Sequence, residues 1–157
     1  INIWGVFIYL NDPVSIKVKP LYPSANPQGD VAASFFTLSS DGLPSPEFIT
    51  VVKSSFNIPV DNYLLFDDHG AKVLNAWANN LSPESVAEAP VPTDIDLFQS
   101  GCAQVQQSTL NPDFSPDWAL IIPNHFRTNF NFDQFITHWK TISSAGTALS
   151  CEVLTTP

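Results

Sequence analysis

The residues Asp67-Asp68-His69-Gly70 set two carboxylates, an imidazole and a flexible glycine at the end of an apolar run, Asn62 to Phe66. In open α/β sheets, ligands sit beyond the carboxyl ends of the strands. A carboxylate pair there, Asp67 with Asp68, has the oxygen donors to hold Mg²⁺. An imidazole such as His69 can act as acid or base. The same four residues also read as scaffolding. In that reading Asp68 caps the helix that follows, Gly70 relieves the turn, and Asp67 and His69 face solvent.

A second candidate is His125-Phe126-Arg127-Thr128-Asn129, which holds the only arginine of the chain. The guanidinium fork of Arg127 can clamp a carboxylate or a phosphate. It can equally pair with one of the many surface acids. His138 is expected on the polar side of its helix. No Gly-x-Ser-x-Gly elbow is present, and Ser39-Ser40-Asp41-Gly42 reads as a turn. There is no glycine-rich phosphate loop. Trp4, Trp77, Trp118 and Trp139 are of a type that lines sugar or lipid grooves, but three of them fit core stripes. Asn80-Leu81-Ser82 is a glycosylation sequon followed at once by Pro83.

Charge narrows the partners. Fifteen acids against six Lys plus Arg give a net charge of −9. Nucleic acid needs clustered cations, so it is excluded. Direct binding to an anionic membrane is disfavoured for the same reason. Hydrophobic residues make up 44% of the 157 residues, enough to bury a core in one domain. Charged residues are 13%, about half the usual share, so amides and hydroxyls must carry solubility. Cys102 and Cys151 lack metal-site spacing; they are two buried thiols or a disulfide. The apolar opening is too short to span a bilayer. The chain has no Met, and the expectation is a processed or excised piece, with any targeting segment outside it.

The elements that must position these groups follow from pattern. Ile3–Leu10 reads as a strand buried on both faces, and Ser15–Leu21 alternates, so the two predict a hairpin around Asn11-Asp12-Pro13. Tyr22–Asp30 reads as a loop, and Val31–Leu38 is ambiguous. Ser45-Pro46-Glu47 starts a helix that stops near Asn57. Asn62–Phe66 is a strand, then Ala71–Leu81 a helix with Leu74, Trp77, Ala78 and Leu81 inward. Thr93 with Asp96 caps a helix whose inner stripe is Ile95, Phe98, Cys102 and Val105. Trp118–Ile122 reads as a strand. Asn131 caps a helix with Phe132, Phe135, Ile136, Trp139 and Ile142 on one face. Thr147–Leu154 is a last strand. Alternating helices and strands point to an α/β domain, expected as a three-layer α/β/α sandwich around a mixed sheet.

The stretches GVFIYLNDPVSIKVKPLYP, FFTLSSDGLPSPEFITVVKSSFNIPVDNYLLFDDHGAKVLNAW and RTNFNFDQFITHWKTI occur in an order that resembles the LytR-CpsA-Psr family of cell-envelope proteins. That resemblance implies transfer of a glycopolymer from a polyprenyl pyrophosphate carrier, outside the membrane, with Mg²⁺ and several arginines. The departures are large. Ile1-Asn2-Ile3-Trp4, Tyr22-Pro23-Ser24-Ala25 and Phe98-Gln99-Ser100-Gly101-Cys102 stand where the family carries its Arg and Asp residues. Only Asp67 and Arg127 fall in matching segments.

The resulting expectation is a single LytR-CpsA-Psr-like domain at residues 1–157. It is non-catalytic, extracellular and cell-envelope associated, without a cofactor, and it binds a glycan or a protein partner. Its ligand-binding candidates are Asp67, Asp68, His69 and Arg127, and a Cys102–Cys151 disulfide ties the middle helix to the last strand. The alternative is an active Mg²⁺-dependent phosphotransferase on polyprenyl-pyrophosphate-linked glycopolymer, with Asp67 and Asp68 as metal ligands.

Overall fold

The computed structural model describes residues 1–82, 86, 88–107 and 124–154. The class is α/β, as the alternation of elements predicts. In chain order the described elements are β1 (Ile3–Tyr9), β2 (Ser15–Tyr22), α1 (Pro27–Ser34), α2 (Pro46–Phe56), β3 (Leu64–Phe66), α3 (Asp68–Ala78), α4 (Asp94–Gln107), β4 (Phe126–Thr128), α5 (Phe132–Ala145) and β5 (Ser150–Val153), with a short 3₁₀ turn, Gly146–Ala148, before β5. The expected mixed sheet is present as three strands, β1-β2-β5, beside a separate two-stranded ribbon, β3-β4.

β1 and β2 form the predicted antiparallel hairpin, with Val6 opposite Val18 and Ile8 opposite Ile16. β5 joins β2 in parallel, Ile16 beside Cys151. β1 is not buried on both faces. It is an outer strand of this sheet, and Val6, Ile8 and Tyr9 are exposed. The apolar run fits an interior strand, but position in the sheet decides burial and not composition.

Helix starts are set by local caps. The Ser45 hydroxyl accepts the Phe48 amide, with Pro46 in the first turn, as predicted. Asn57 ends α2 in the left-handed region at φ 49°, a conformation that asparagine tolerates. At the start of α4 the Thr93 hydroxyl accepts the Asp96 amide and donates to the Asp96 carboxylate, a variant of the capping box in which the carboxylate meets the cap's hydroxyl and not its backbone N–H. Asn131 caps α5 by accepting the Asp133 amide. Other expectations are corrected: Leu81, beyond the end of α3, and Ile95, on α4, are exposed and not inward. Residues Pro27–Asp30 are helical, capped by Asn26, where a loop was expected. Phe132, at the first turn of α5, is 61% exposed and not part of its inner face. His138 is half-buried, packs edge-on to Phe130, and its Nδ1 has no hydrogen-bond partner. The strand expected at Trp118–Ile122 lies outside the described residues.

Three apolar clusters hold these elements. Leu21, Ala32, Phe48 and Val52 join β2 to α1 and α2. Val73, Ala76, Val86 and Phe126 join α3 to the β3-β4 ribbon. Val105, Ile142 and Leu149, with Trp77 and Trp139 packed on them, join α4, α5 and the main sheet. Burial of such side chains is the main favourable term in folding. Cys102 and Cys151 are paired as a disulfide inside the third cluster, Cα–Cα 6.5 Å, linking α4 to β5. No described helix is long and apolar enough to cross a membrane.

Candidate functional site

The acid turn is built by the meeting of β3, β4 and α3. Phe66 pairs with Phe126 across the ribbon, their rings stacked at 5.4 Å. The next backbone bond, from the Asp67 amide to the His125 carbonyl at 3.3 Å, extends the pairing to the turn itself. α3 then starts at once. A Cβ on Gly70 would stand 3.2 Å from the His125 carbonyl oxygen and 3.2 Å from the Phe66 Cβ. Gly70 thus serves close packing of helix on ribbon, and its φ is not positive.

The cap of α3 is Asp67, not Asp68 as expected. Its Oδ1 accepts the Gly70 amide at 2.8 Å. Asp68 is the first helical residue, where a negative charge favours the amide end of the helix. The second function of Asp67 was not readable from neighbours in sequence. Its Oδ2 lies 2.8 Å from His125 Nδ1, and its Oδ1 lies 3.1 Å from the same nitrogen. An ionised carboxylate only accepts, so the proton sits on Nδ1. His69 is exposed and its ring lies on that of His125, with centroids 4.2 Å apart and planes tilted by 35°.

Burial works against the charged form of the Asp67 carboxyl. The hydrogen bond from His125, the Gly70 amide, the His125 charge and the His69 amide together outweigh it, so the group is held below the ordinary carboxylate range. Asp67, His69 and His125 therefore form one cluster. Arg127 follows on β4 opposite Leu65, donates through Nη1 to the Phe126 carbonyl at 2.8 Å, and lies against Gly42. Among the described residues, no group of three or more His, Cys, Asp and Glu side chains is arranged to hold a metal ion.

A shallow, open groove of about 460 Å³ lies elsewhere on the surface, lined by Ile1, Tyr22, Asp30, Ala33, Ser34 and Phe36. It shares no lining residue with the acid turn. Its aromatic wall is fixed from behind, since Phe36 packs edge-on to Phe48 at 5.1 Å. Asp30, Ala33 and Ser34 of its lining stand on α1, which Gly29 seats against the Leu21 carbonyl. Reading Tyr22–Asp30 as a loop and Val31–Leu38 as ambiguous hid this groove, because three of its lining residues, Asp30, Ala33 and Ser34, stand on α1.

No family model matches this chain, and neither a curated protein nor a solved structure does.

Proposed function

We propose that this chain is a non-catalytic domain of the extracellular cell envelope, similar to LytR-CpsA-Psr proteins, that binds a neutral glycan. The observation that carries this reading is the groove. Its volume falls in the small-ligand range, and its shallow, open form suits one face of a sugar ring and not an enclosed ligand. Tyr22 and Phe36 offer ring faces for the apolar side of a sugar, and Asp30 and Ser34 offer acceptors for its hydroxyls. The Cys102–Cys151 disulfide supports an oxidising compartment. The net charge of −9 favours a neutral ligand over a polyphosphate.

The test is a nuclear magnetic resonance titration of the chain with a panel of neutral oligosaccharides. Shifts centred on Tyr22, Ser34 and Phe36 are expected, with affinity weakened about tenfold by Tyr22→Ala, equivalent to about 1.4 kcal/mol. A panel that moves no resonance near the groove sinks the glycan reading and leaves a protein partner.

A second reading is an Mg²⁺-dependent phosphotransferase drawing on Asp67, Asp68, His69 and Arg127. The observation in its favour is the hydrogen bond between Asp67 and His125, which orients an imidazole as acid–base catalysts require. Calorimetry with a short polyprenyl pyrophosphate, with and without Mg²⁺, separates the two. Mg²⁺-dependent heat favours the transferase, and no heat from a folded sample removes it.

A further inference from the structure

We propose that His69 and His125 form a binding site for a transition-metal ion of the Zn²⁺ class, in which Asp67 is the group that orients His125. The site is independent of the groove and of the glycan reading.

Three observations lead there. The first is the meeting of the imidazoles. One comes from the first turn of α3 and the other from the residue preceding β4, yet their rings are in contact at 4.2 Å. The neighbouring Phe66–Phe126 pair fills the ribbon's apolar packing. Two polar rings placed together at the solvent edge are therefore not needed for the core.

The second is the hydrogen bond from His125 to Asp67. Metal-ligating histidines commonly donate their other ring N–H to a carboxylate, which fixes tautomer and ring plane. Here Nδ1–H is held by Asp67 at 2.8 Å, so neutral His125 carries its lone pair on Nε2. Two Zn–N bonds of about 2.0–2.1 Å at a tetrahedral angle need nitrogens about 3.4 Å apart. The rings lie face on face at a tilt of 35°, so metal binding requires the His69 ring, which is exposed, to turn until its lone pair and that of His125 Nε2 point at one ion.

The third is charge and donor type. Asp67 and Asp68 immediately precede His69, in a chain of net charge −9, and this negative charge favours a cation. Imidazole nitrogens select Zn²⁺, Cu²⁺ or Ni²⁺, whereas Mg²⁺ takes oxygen donors. With two protein nitrogens, water completes the coordination, so the expected affinity is micromolar and the ion keeps open positions.

The experiment is calorimetric titration of the whole chain with ZnCl₂ in a non-chelating buffer at neutral pH, beside an MgCl₂ titration. Binding of one Zn²⁺ per chain and no comparable Mg²⁺ binding are expected. His69→Ala and His125→Gln each weaken Zn²⁺ binding by about tenfold or more, and Asp67→Asn weakens it by about tenfold through lost orientation. His138→Ala leaves it unchanged. Circular dichroism checks that each variant is folded. Absence of Zn²⁺ binding by the folded wild-type chain overturns the proposal. So does undiminished binding by the His69→Ala/His125→Gln double variant, or an equal loss in His138→Ala.

Discussion

Asp67 holds His125 at 2.8 Å across 58 residues of sequence, and the same carboxylate caps α3. One side chain thus fixes the start of a helix and the approach of a strand. The backbone bond between the same two residues makes the junction two-point. Removing the charge of Asp67 while keeping its shape is therefore a clean probe of the turn.

Asp67→Asn retains an oxygen to accept from Gly70 and from His125, so the fold should survive and the loss at neutral pH should be modest. The difference lies in its pH dependence. The carboxyl is held below its ordinary value of 3.8. A lowered folded pKa means that the stabilisation is fully present above that value and is lost as pH falls through the folded pKa. Urea unfolding of both proteins from about pH 5 downward, the range in which the carboxyl titrates, should show a stability gap that closes as the pH falls below about 4. A gap that widens as the pH falls would contradict the sign.

The Cys102–Cys151 bridge closes a span of 49 residues. In the chain-entropy picture such a loop contributes about 4 kcal/mol. The double variant Cys102→Ala/Cys151→Ala should lose stability of that order in denaturant, chiefly by loosening α4 from β5. Thiol titration of the unreduced, unfolded protein should detect no free thiol. Two free thiols there would remove the bridge.

What could be read from the sequence was what local chemistry decides. Ser45-Pro46, Thr93 with Asp96, and Asn131 announce helices because a cap needs only its own three or four neighbours. Asn26-Pro27 uses the same cap-then-proline signal, but the surrounding Pro, Ser and Gly outweighed it. The choice between Asp67 and Asp68 as cap turned on where α3 began: the apolar stripe placed its start at Ala71, whereas the helix already starts at Asp68, so the cap is Asp67. The Asp67–His125–His69 cluster has no local signal at all, since the ribbon alone brings His125 to the turn. The exposure of β1 is likewise set by its place in the sheet.

Ser45→Ala removes the hydroxyl that accepts the Phe48 amide at 3.2 Å. Alanine leaves that amide to water, and the loss should be about 1 kcal/mol. Phe48 is buried in the cluster that α2 shares with β2, so fraying there should also speed amide exchange across the first turn of α2. Hydrogen exchange read by mass spectrometry, with unchanged rates in α5 as the internal reference, checks both. Equal protection in the variant would show that Pro46 and packing alone set this helix start.

Gly29→Ala tests the link between fold and groove. A Cβ at Gly29 would lie 2.2 Å from the Leu21 carbonyl oxygen, a backbone atom that cannot turn aside. That oxygen also accepts the Ser24 hydroxyl at 2.9 Å. α1 must therefore withdraw from the end of β2, which strains the Leu21–Ala32 contact in the core. Overpacking of this kind costs about 1–3 kcal/mol. Tyr22 stands on β2 while Asp30, Ala33 and Ser34 stand on α1, so the same withdrawal parts the two walls of the groove. The expected outcome is a destabilised but folded variant that has lost oligosaccharide binding out of proportion to its stability, whereas Zn²⁺ binding at the acid turn stays at the wild-type level. Tolerance of alanine with stability and sugar binding both intact would mean that α1 does not dock this closely on β2.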